Sequence, residues 1–298
     1  MNLLQCGVPK SGNFWLYKII QEILNRSGYD TTSFICRQPI YSLAKTWELN
    51  FPEQAKIDVL DVTDLQYSYR ISSIFKMPID DIQEYATLSP HVWSHSPVCK
   101  RTGELLNCFD KKIYIIRDPR DRVISASKYY CSPYMLKYFP QEETDPPQFL
   151  NKNFDKLIHE WVWHVFDYLR LSRTYGIHIA FYEGFLMDFQ QEVDKLLQYL
   201  EIEMSASERE ALEETVTFQK MKQKNPKHLK KGESGYWKER LTDWQVARAE
   251  IIAGPLIRHL NYPSEKHQPM DFSSEPMLDD PEQLKQEIID SQQPLYID

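Results

Sequence analysis

Gly7 and Gly12 bracket a short turn, Gly7-Val8-Pro9-Lys10-Ser11-Gly12, and residues 3–20 around it constrain the fold more than any other stretch. Before the turn stand the apolar Leu3 and Leu4. After it runs Phe14-Trp15-Leu16-Tyr17-Lys18-Ile19-Ile20. Leu16, Ile19, Ile20, Ile23 and Leu24 recur at helical spacing, so the stretch reads as strand, tight turn, helix. A helix entered from such a turn presents unpaired backbone N–H groups and the positive end of its dipole, a seat for a phosphate-like anion. The nucleotide-hydrolase pattern G-x-x-x-x-G-K-[ST] places a lysine and a magnesium-binding hydroxyl after the second glycine. Here Asn13 and Phe14 stand at those positions, and the lysine, Lys10, lies inside the turn. Phe14 cannot hold magnesium. The same spacing also suits an ordinary strand–turn–helix without a ligand.

A chain of 298 residues has room for one large α/β domain or two small ones. A net charge of −8 argues against general nucleic-acid binding, while leaving room for local basic patches. The five cysteines form no CxxC pair and are expected to be reduced thiols in a cytoplasmic protein. The sequence contains no signal peptide pattern and no membrane span pattern.

Residues 31–90 are expected to hold short helices and loops, with an acidic patch at Asp80, Asp81 and Glu84. Pro90–Pro97 reads as a short strand closed by a proline, which puts His95 at a strand's carboxyl end, where α/β sheets bind ligands. Lys112–Ile116 has the apolar run of a buried parallel strand. Arg117-Asp118-Pro119-Arg120-Asp121-Arg122 follows, with Pro119 suited to a first helical turn and Asp118 to its cap. Arg117 and Arg120 are either ligand-facing or paired at the surface with Asp118 and Asp121. A long helix is expected over residues 148–174, its aromatics in the core and its end at Gly176. Its histidines, His159 and His164, read as structural. Ile177–Tyr182 reads as another strand, and two or three helices are expected between Phe189 and Lys222. Lys227–Lys238 combines lysines, a Gly-x-x-Gly core and Trp237, and reads as a loop that closes on an anion. A last helix is expected over residues 239–260. From Pro263 the tail is polar, expected to wrap the surface or to be partly disordered. His91 and His95 lie between prolines without an HExxH glutamate, so no metal site is expected.

Four of these segments together resemble one family. The chain looks like a cytosolic-type, PAPS-dependent sulfotransferase of the bacterial-like small-molecule kind, PAPS being 3′-phosphoadenosine 5′-phosphosulfate. Pro9–Trp15 resembles the family's PKSGTTW loop for the 5′-phosphosulfate. Ser94-His95-Ser96-Pro97 is similar to its catalytic-histidine segment. Ile116 through Ser125 resembles its 3′-phosphate segment, and Lys230–Lys238 its late RKGxxGDWK motif. The resemblance implies an α/β fold of P-loop type, a central parallel sheet with helices on both faces. It places the sulfotransferase domain in residues 1–262 and the polar tail in 263–298.

By the same resemblance, Lys10 would contact the oxygen bridging phosphate and sulfate. Ser11, Gly12, Asn13 and Phe14 would line the 5′-phosphate, and Trp15 would stack on adenine. Arg117, Ser125, Lys230, Lys231 and Gly232 would hold the 3′-phosphate, and Tyr182 and Phe218 would contact adenine. His95 would be the catalytic base. The departures have consequences. Phe14 replaces a phosphate-binding threonine and removes a hydroxyl. Trp93 replaces a lysine two residues before the histidine. Lys230 replaces arginine, a point charge in place of a fork. Tyr236 replaces an aspartate. Asp243 and Ala247 break the family's dimer motif KxxxTVxxxE, so a monomer or a different dimer is expected.

Sulfuryl transfer is an in-line displacement in which charge builds on equatorial and leaving oxygens, as in phosphoryl transfer. Positioning and charge stabilisation carry such catalysis. Lys10 would be the cation for the leaving phosphate, no metal would be required if it and the loop amides suffice, and His95 would take the proton of the acceptor hydroxyl or amine. A small-molecule acceptor is expected, with no nucleic-acid or membrane partner. Asp80, Asp81, Glu84, Glu142, Glu143 and Asp145 would suit a polar, cationic acceptor, with Trp93 and Tyr134 as its aromatic faces. The same acids also read as ordinary surface. Two rivals stand beside the transferase: a P-loop small-molecule kinase, and a catalytically impaired protein that binds 3′-phosphoadenosine nucleotides.

Overall fold

The computed structural model describes residues 1–217, 234–263, Phe272, Pro276 and 278–292. In chain order its main elements are β1 (Leu3–Cys6), α1 (Asn13–Arg26), β2 (Asp58–Val62), β3 (Tyr67–Ile71), β4 (Phe75–Ile79), α2 (Ile82–Leu88) and β5 (His91–Ser94). There follow β6 (Lys111–Ile116), α3 (Pro119–Tyr130), α4 (Pro146–Tyr175), β7 (Ile177–Phe181), α5 (Phe189–Leu200), α6 (Ala206–Val216), α7 (Asp243–His259) and α8 (Pro281–Gln292).

Seven strands form one sheet in the order β4-β3-β2-β5-β1-β6-β7. The five from β2 to β7 in that order run parallel. Each parallel strand is buried on both faces, as β1 shows with four buried residues in four. The expected parallel sheet is therefore present, but the sheet is mixed, because β3 and β4 add antiparallel at one edge. Residues 31–90 thus contain three strands, β2 to β4, where short helices and loops were expected. Between Val62 and Tyr67 the link is too short for a crossover helix, so the chain has to reverse; Thr63 N–H bonds Gln66 O at 3.1 Å to close that turn. Pro78 and the exposed Met77 sit on β4, the edge strand, where a missing N–H is tolerated.

Helices cover both faces. The apolar stripe of α1, with α5 and α6, packs on one face around Leu3, Ile113 and Ala180. On the other face, α3, α4 and α7 pack around Leu4, Tyr114 and Ile116. Asp145 caps α4 by accepting from Gln148 N–H, and Gly176 ends it at φ 61°, one or two residues outside the expected bounds. The last helix begins later than expected, at Asp243, because Thr242 and Gln245 form a capping box there. Part of the polar tail is ordered: α8 buries Leu284 and Ile288, and Gln292 Nε2 donates to Ile252 O at 3.0 Å on α7.

Candidate active site

The neighbours β5, β1 and β6 deliver three loops side by side at their carboxyl ends. Cys6 is in register with Ser94 on one side and Tyr114 on the other. The turn after β1, His95 after β5 and Arg117 after β6 therefore emerge together, the crevice in which open α/β sheets bind ligands.

The turn is held from all sides. Gly12 is the α1 N-cap at φ 93°, and no side chain caps this helix. A Cβ at Gly12 would stand 2.4 Å from Tyr182 Cδ2, so glycine is required on both backbone and steric grounds. Lys10 also has positive φ, 76°. Gln5 Nε2 donates to Asn13 O at 2.8 Å, and Asn13 Nδ2 to Val8 O at 2.9 Å. Arg122 Nε donates to Pro9 O at 2.9 Å and Arg117 Nη1 to Lys10 O at 3.3 Å. Two arginines of the Arg117–Arg122 run thus grip consecutive carbonyls of the turn. Ser11 Oγ and Asn13 Oδ1 are buried with no hydrogen-bond partner among the described residues. Buried polar atoms are ordinarily satisfied; the Ser11 hydroxyl can donate to a phosphate oxygen, whereas Asn13 Oδ1 only accepts and suits ordered water.

His95 Nδ1 lies 2.6 Å from Gly7 O. Burial of the ring pulls its pKa down to about 3, so the imidazole is neutral at pH 7. The aromatic residues of α4 are core, as expected, but their polar tips support the loops. Trp161 Nε1 donates to Arg117 O at 2.9 Å, His164 Nε2 to His95 O at 3.2 Å and Tyr168 Oη to Ser96 O at 3.1 Å. Tyr114 Oη donates to His164 Nδ1 at 2.7 Å, which fixes that ring's tautomer.

A cavity of about 830 Å³ opens at these loops. Lys10, Gly12, Asn13, Phe14, Trp15, Trp93, His95, Arg117, Ser125 and Tyr182 all line it. Ser11 lies just beneath, fully buried. Lys10 Nζ sits 4.5 Å from the centre of the Tyr129 ring, and the Arg117 guanidinium 4.3 Å from that of Tyr182. Phe14 is 5% exposed and packs edge-on to Phe51 at 4.8 Å, making apolar wall where a hydroxyl was lost. Trp15 is largely core: its ring stacks on Phe189 and its Nε1 donates to Val216 O at 2.9 Å. Phe218, Lys230, Lys231 and Gly232 lie outside the described residues. The segment just after them is tied down, since Asp121 accepts from Gly235 N–H at 2.5 Å and Trp237 N–H at 2.8 Å.

Two expectations change. Tyr134 does not line the cavity; it stands behind the wall, bonded to Ser72 Oγ, and Tyr129 on α3 faces the cavity instead. Arg120 faces neither ligand nor surface: it forms a buried pair with Asp118 at 2.7 Å and lies 3.7 Å from the Trp237 ring centre. The six acids considered for a cationic acceptor are not among the lining residues. Asp80 and Asp81 border a separate depression of about 600 Å³ with Arg101 and Glu104. Glu142 and Glu143 pair with Lys152, and Asp145 caps α4. Sequence reasoning missed Asp61, Arg70 and Lys76, which do line the cavity, because their strands were not read as strands.

The sheet, the anion-type turn at its switch point and a neutral imidazole beside that turn define a P-loop α/β protein of the group-transfer class. The chain belongs to the sulfotransferase family: the sulfotransferase domain matches residues 2–260. It is similar to mouse sulfotransferase 2A1, 24% identical over 266 residues, covering 84% of this chain and 81% of the relative. Rabbit amine sulfotransferase is 25% identical over 266 residues, 82% of this chain and 76% of the relative. Among solved structures it resembles mouse sulfotransferase SULT7A1 complexed with PAP, the desulfated form of PAPS (TM-score 0.56, 18% identity, 86% of this chain and 84% of that one). Retinol dehydratase with retinol and PAP is similar in fold (TM-score 0.59, 16% identity, 88% and 83% covered). No helix among the described residues is long and apolar enough to cross a membrane, and no group of three or more His, Cys, Asp or Glu there is placed to hold a metal.

Proposed function

We propose that the turn Pro9–Phe14 and Arg117 hold PAPS while His95 deprotonates a small-molecule acceptor in the adjoining cavity. The fold, the family and the unsatisfied Ser11 hydroxyl support this reading. Lys10, Ser11, Gly12 and Asn13 bind the 5′-phosphosulfate. Arg117 and Ser125 bind the 3′-phosphate, with Lys230, Lys231 and Gly232 completing that half. Tyr182, Trp15 and Phe218 border the adenine. PAPS supplies the sulfuryl group and leaves as 3′-phosphoadenosine 5′-phosphate (PAP).

The residues perform three tasks. Lys10 places positive charge where the leaving oxygen becomes anionic, in a turn held rigid by Arg117 and Arg122. His95, its Nδ1–H committed to Gly7 O, offers Nε2 to the acceptor's proton. Trp93, Phe51 and Tyr129 enclose the acceptor and exclude water. The protein acts in the cytoplasm, as a monomer or as a dimer formed without the broken motif, with no nucleic-acid partner.

The observation that carries the reading is the pairing of His95 with Gly7 O, which puts a base directly beside an anion-binding turn. Calorimetric titration of PAP against ATP, with and without Mg²⁺, tests the donor. Tight, metal-independent binding that needs the 3′-phosphate is expected. Preference for Mg-ATP would overturn the reading in favour of a kinase.

A further inference from the structure

The acceptor half of the cavity has a charged wall built by sheet register. Arg70 on β3 is paired with Val59 on β2, and Val59 with Trp93 on β5. Residues paired across a sheet project to one face, and all three line the cavity. Asp61 follows Val59 by two positions, on the same face, and continuing the β2–β5 register places it beside His95. Arg70 therefore reaches the cavity next to the candidate base, and its positive charge adds to burial in keeping the His95 ring neutral.

Arg70 is half-buried and rigidly held. Its Nε donates to Asp61 Oδ1 at 2.9 Å and its Nη1 to Ser72 O at 2.9 Å. Its Nη2 has no hydrogen-bond partner among the described residues. Lys76 Nζ shares the same carboxylate at 3.1 Å from Asp61 Oδ2. Two cations thus face one carboxylate, and these neighbours hold Asp61 ionised, its pKa below the usual range. The cluster keeps a net positive charge. Lys128 on α3 and Arg240 add two more lining cations, whereas Asp121, the other lining carboxylate among the described residues, is committed to Gly235 and Trp237 N–H. Around this cluster the wall is apolar and aromatic: Trp93, Phe51, Phe75, Met135 and Phe139.

We infer that the acceptor is an amphipathic hydroxyl compound bearing an anionic group, whose carboxylate or sulfonate is received by Arg70 while its hydroxyl faces His95. The inference rests on reading this cavity as the acceptor site of a sulfotransferase. A guanidinium with a committed Nε and a remaining Nη2 offers fixed N–H donors that suit a planar oxyanion, and a partly desolvated site strengthens the charge-assisted bond. A cationic acceptor would meet Arg70 and Lys76 instead, at a cost in affinity. The charge that Trp93 does not supply at its own position comes to the pocket from the neighbouring strand pair.

The test uses three phenols of nearly equal size titrated into the protein saturated with PAP: 4-hydroxyphenylacetate, 4-hydroxyphenylacetamide and tyramine. The expected order is anion, then amide, then cation, with the anion bound about tenfold more tightly than the amide. Arg70→Gln is expected to bring the anion-to-amide ratio to about one, and PAP titration of that variant verifies that it is folded. Binding of PAP together with a preference for tyramine, with equal affinities, or with no binding of the anion overturns this inference alone. Retention of the anion preference in Arg70→Gln also overturns it. Failure of PAP to bind the unaltered protein overturns the donor reading itself.

Discussion

The imidazole Nδ1 of His95 lies 2.6 Å from the carbonyl oxygen of Gly7, the first residue of the anion-type turn. The contact follows from register: Cys6 pairs with Ser94, so the next residue of each parallel strand leaves the sheet beside the other. A carbonyl only accepts, so Nδ1 donates and Nε2 carries the lone pair. One hydrogen bond thus sets the tautomer of the base and ties its position to the turn that holds the donor.

Removing that base should separate chemistry from cofactor binding. His95→Ala is expected to lower kcat by roughly 10²–10⁴-fold, the usual worth of general-base help, while the calorimetric affinity for PAP changes by less than about threefold. In the ligand-free protein burial holds the ring neutral, with its pKa pulled down to about 3. A proton NMR titration should therefore show the His95 ring unprotonated down to about pH 4, and PAP anions should raise that midpoint. A midpoint near 6.5 without ligand would contradict the buried, carbonyl-bonded geometry.

Gly12 carries the turn's backbone requirement. At φ 93° an L side chain is strained, and a Cβ there meets the Tyr182 ring at 2.4 Å. Gly12→Ala is expected to weaken PAP binding at least about tenfold and to destabilise by about 1–2 kcal/mol from the left-handed conformation alone, with the clash adding to it. Adding Tyr182→Ala should recover the clash part in a thermal melt, but not the conformational part. Full recovery would show that φ at Gly12 carries no strain.

Arg117 joins the turn to the predicted 3′-phosphate half, through Lys10 O and the Tyr182 ring. Arg117→Ala is expected to weaken PAP by about 10–100-fold, the range of one or two charge-assisted bonds. Adenosine 5′-phosphosulfate, which lacks the 3′-phosphate, should lose far less. Equal losses for the two nucleotides would move Arg117 to the 5′ side.

What the sequence makes legible is the chemistry that sits on contiguous residues. The turn at Gly7–Gly12, His95 after its strand and the Arg117–Asp121 run each carry their own local signature, and the parallel register of β5, β1 and β6 brings them together. The acceptor wall is illegible for the opposite reason. Arg70 and Asp61 lie on strands of only five residues; Tyr67-Ser68-Tyr69-Arg70-Ile71 does alternate, but nothing local to it says which strands it joins. Their meeting with Trp93 depends on non-local pairing. Tyr134 and Tyr129 lie on consecutive helices, Pro133–Tyr138 and α3, and only the chain's turn between them decides which ring faces the cavity. The split role of the α4 residues, apolar body in the core and polar tip on a loop carbonyl, is likewise invisible to periodicity.

Glu183 makes stability depend on pH in a direction opposite to the usual carboxylate. It is fully buried, accepts from Asp118 N–H at 3.0 Å on Oε1, has Tyr262 Oη 2.8 Å from Oε2 as partner for its proton, and lies near Asp118 and Asp121. Burial is the main cause that pushes its pKa up to about 8, against the opposing field of Arg117. Between about pH 4.5 and 8 the folded chain therefore keeps a proton here that the unfolded chain has lost. The contribution is fully present below about pH 4.5 and is lost as pH rises through 8, with a slope of at most about 1.4 kcal/mol per pH unit. Glu183→Gln cannot titrate and keeps the size and one accepting oxygen. Urea unfolding at pH 5, 6, 7 and 8 is expected to show the unaltered protein losing ground to the variant steadily as pH rises. Parallel stability curves over that range would mean that Glu183 is ionised in the fold, and that Arg117 rather than burial governs this corner of the site.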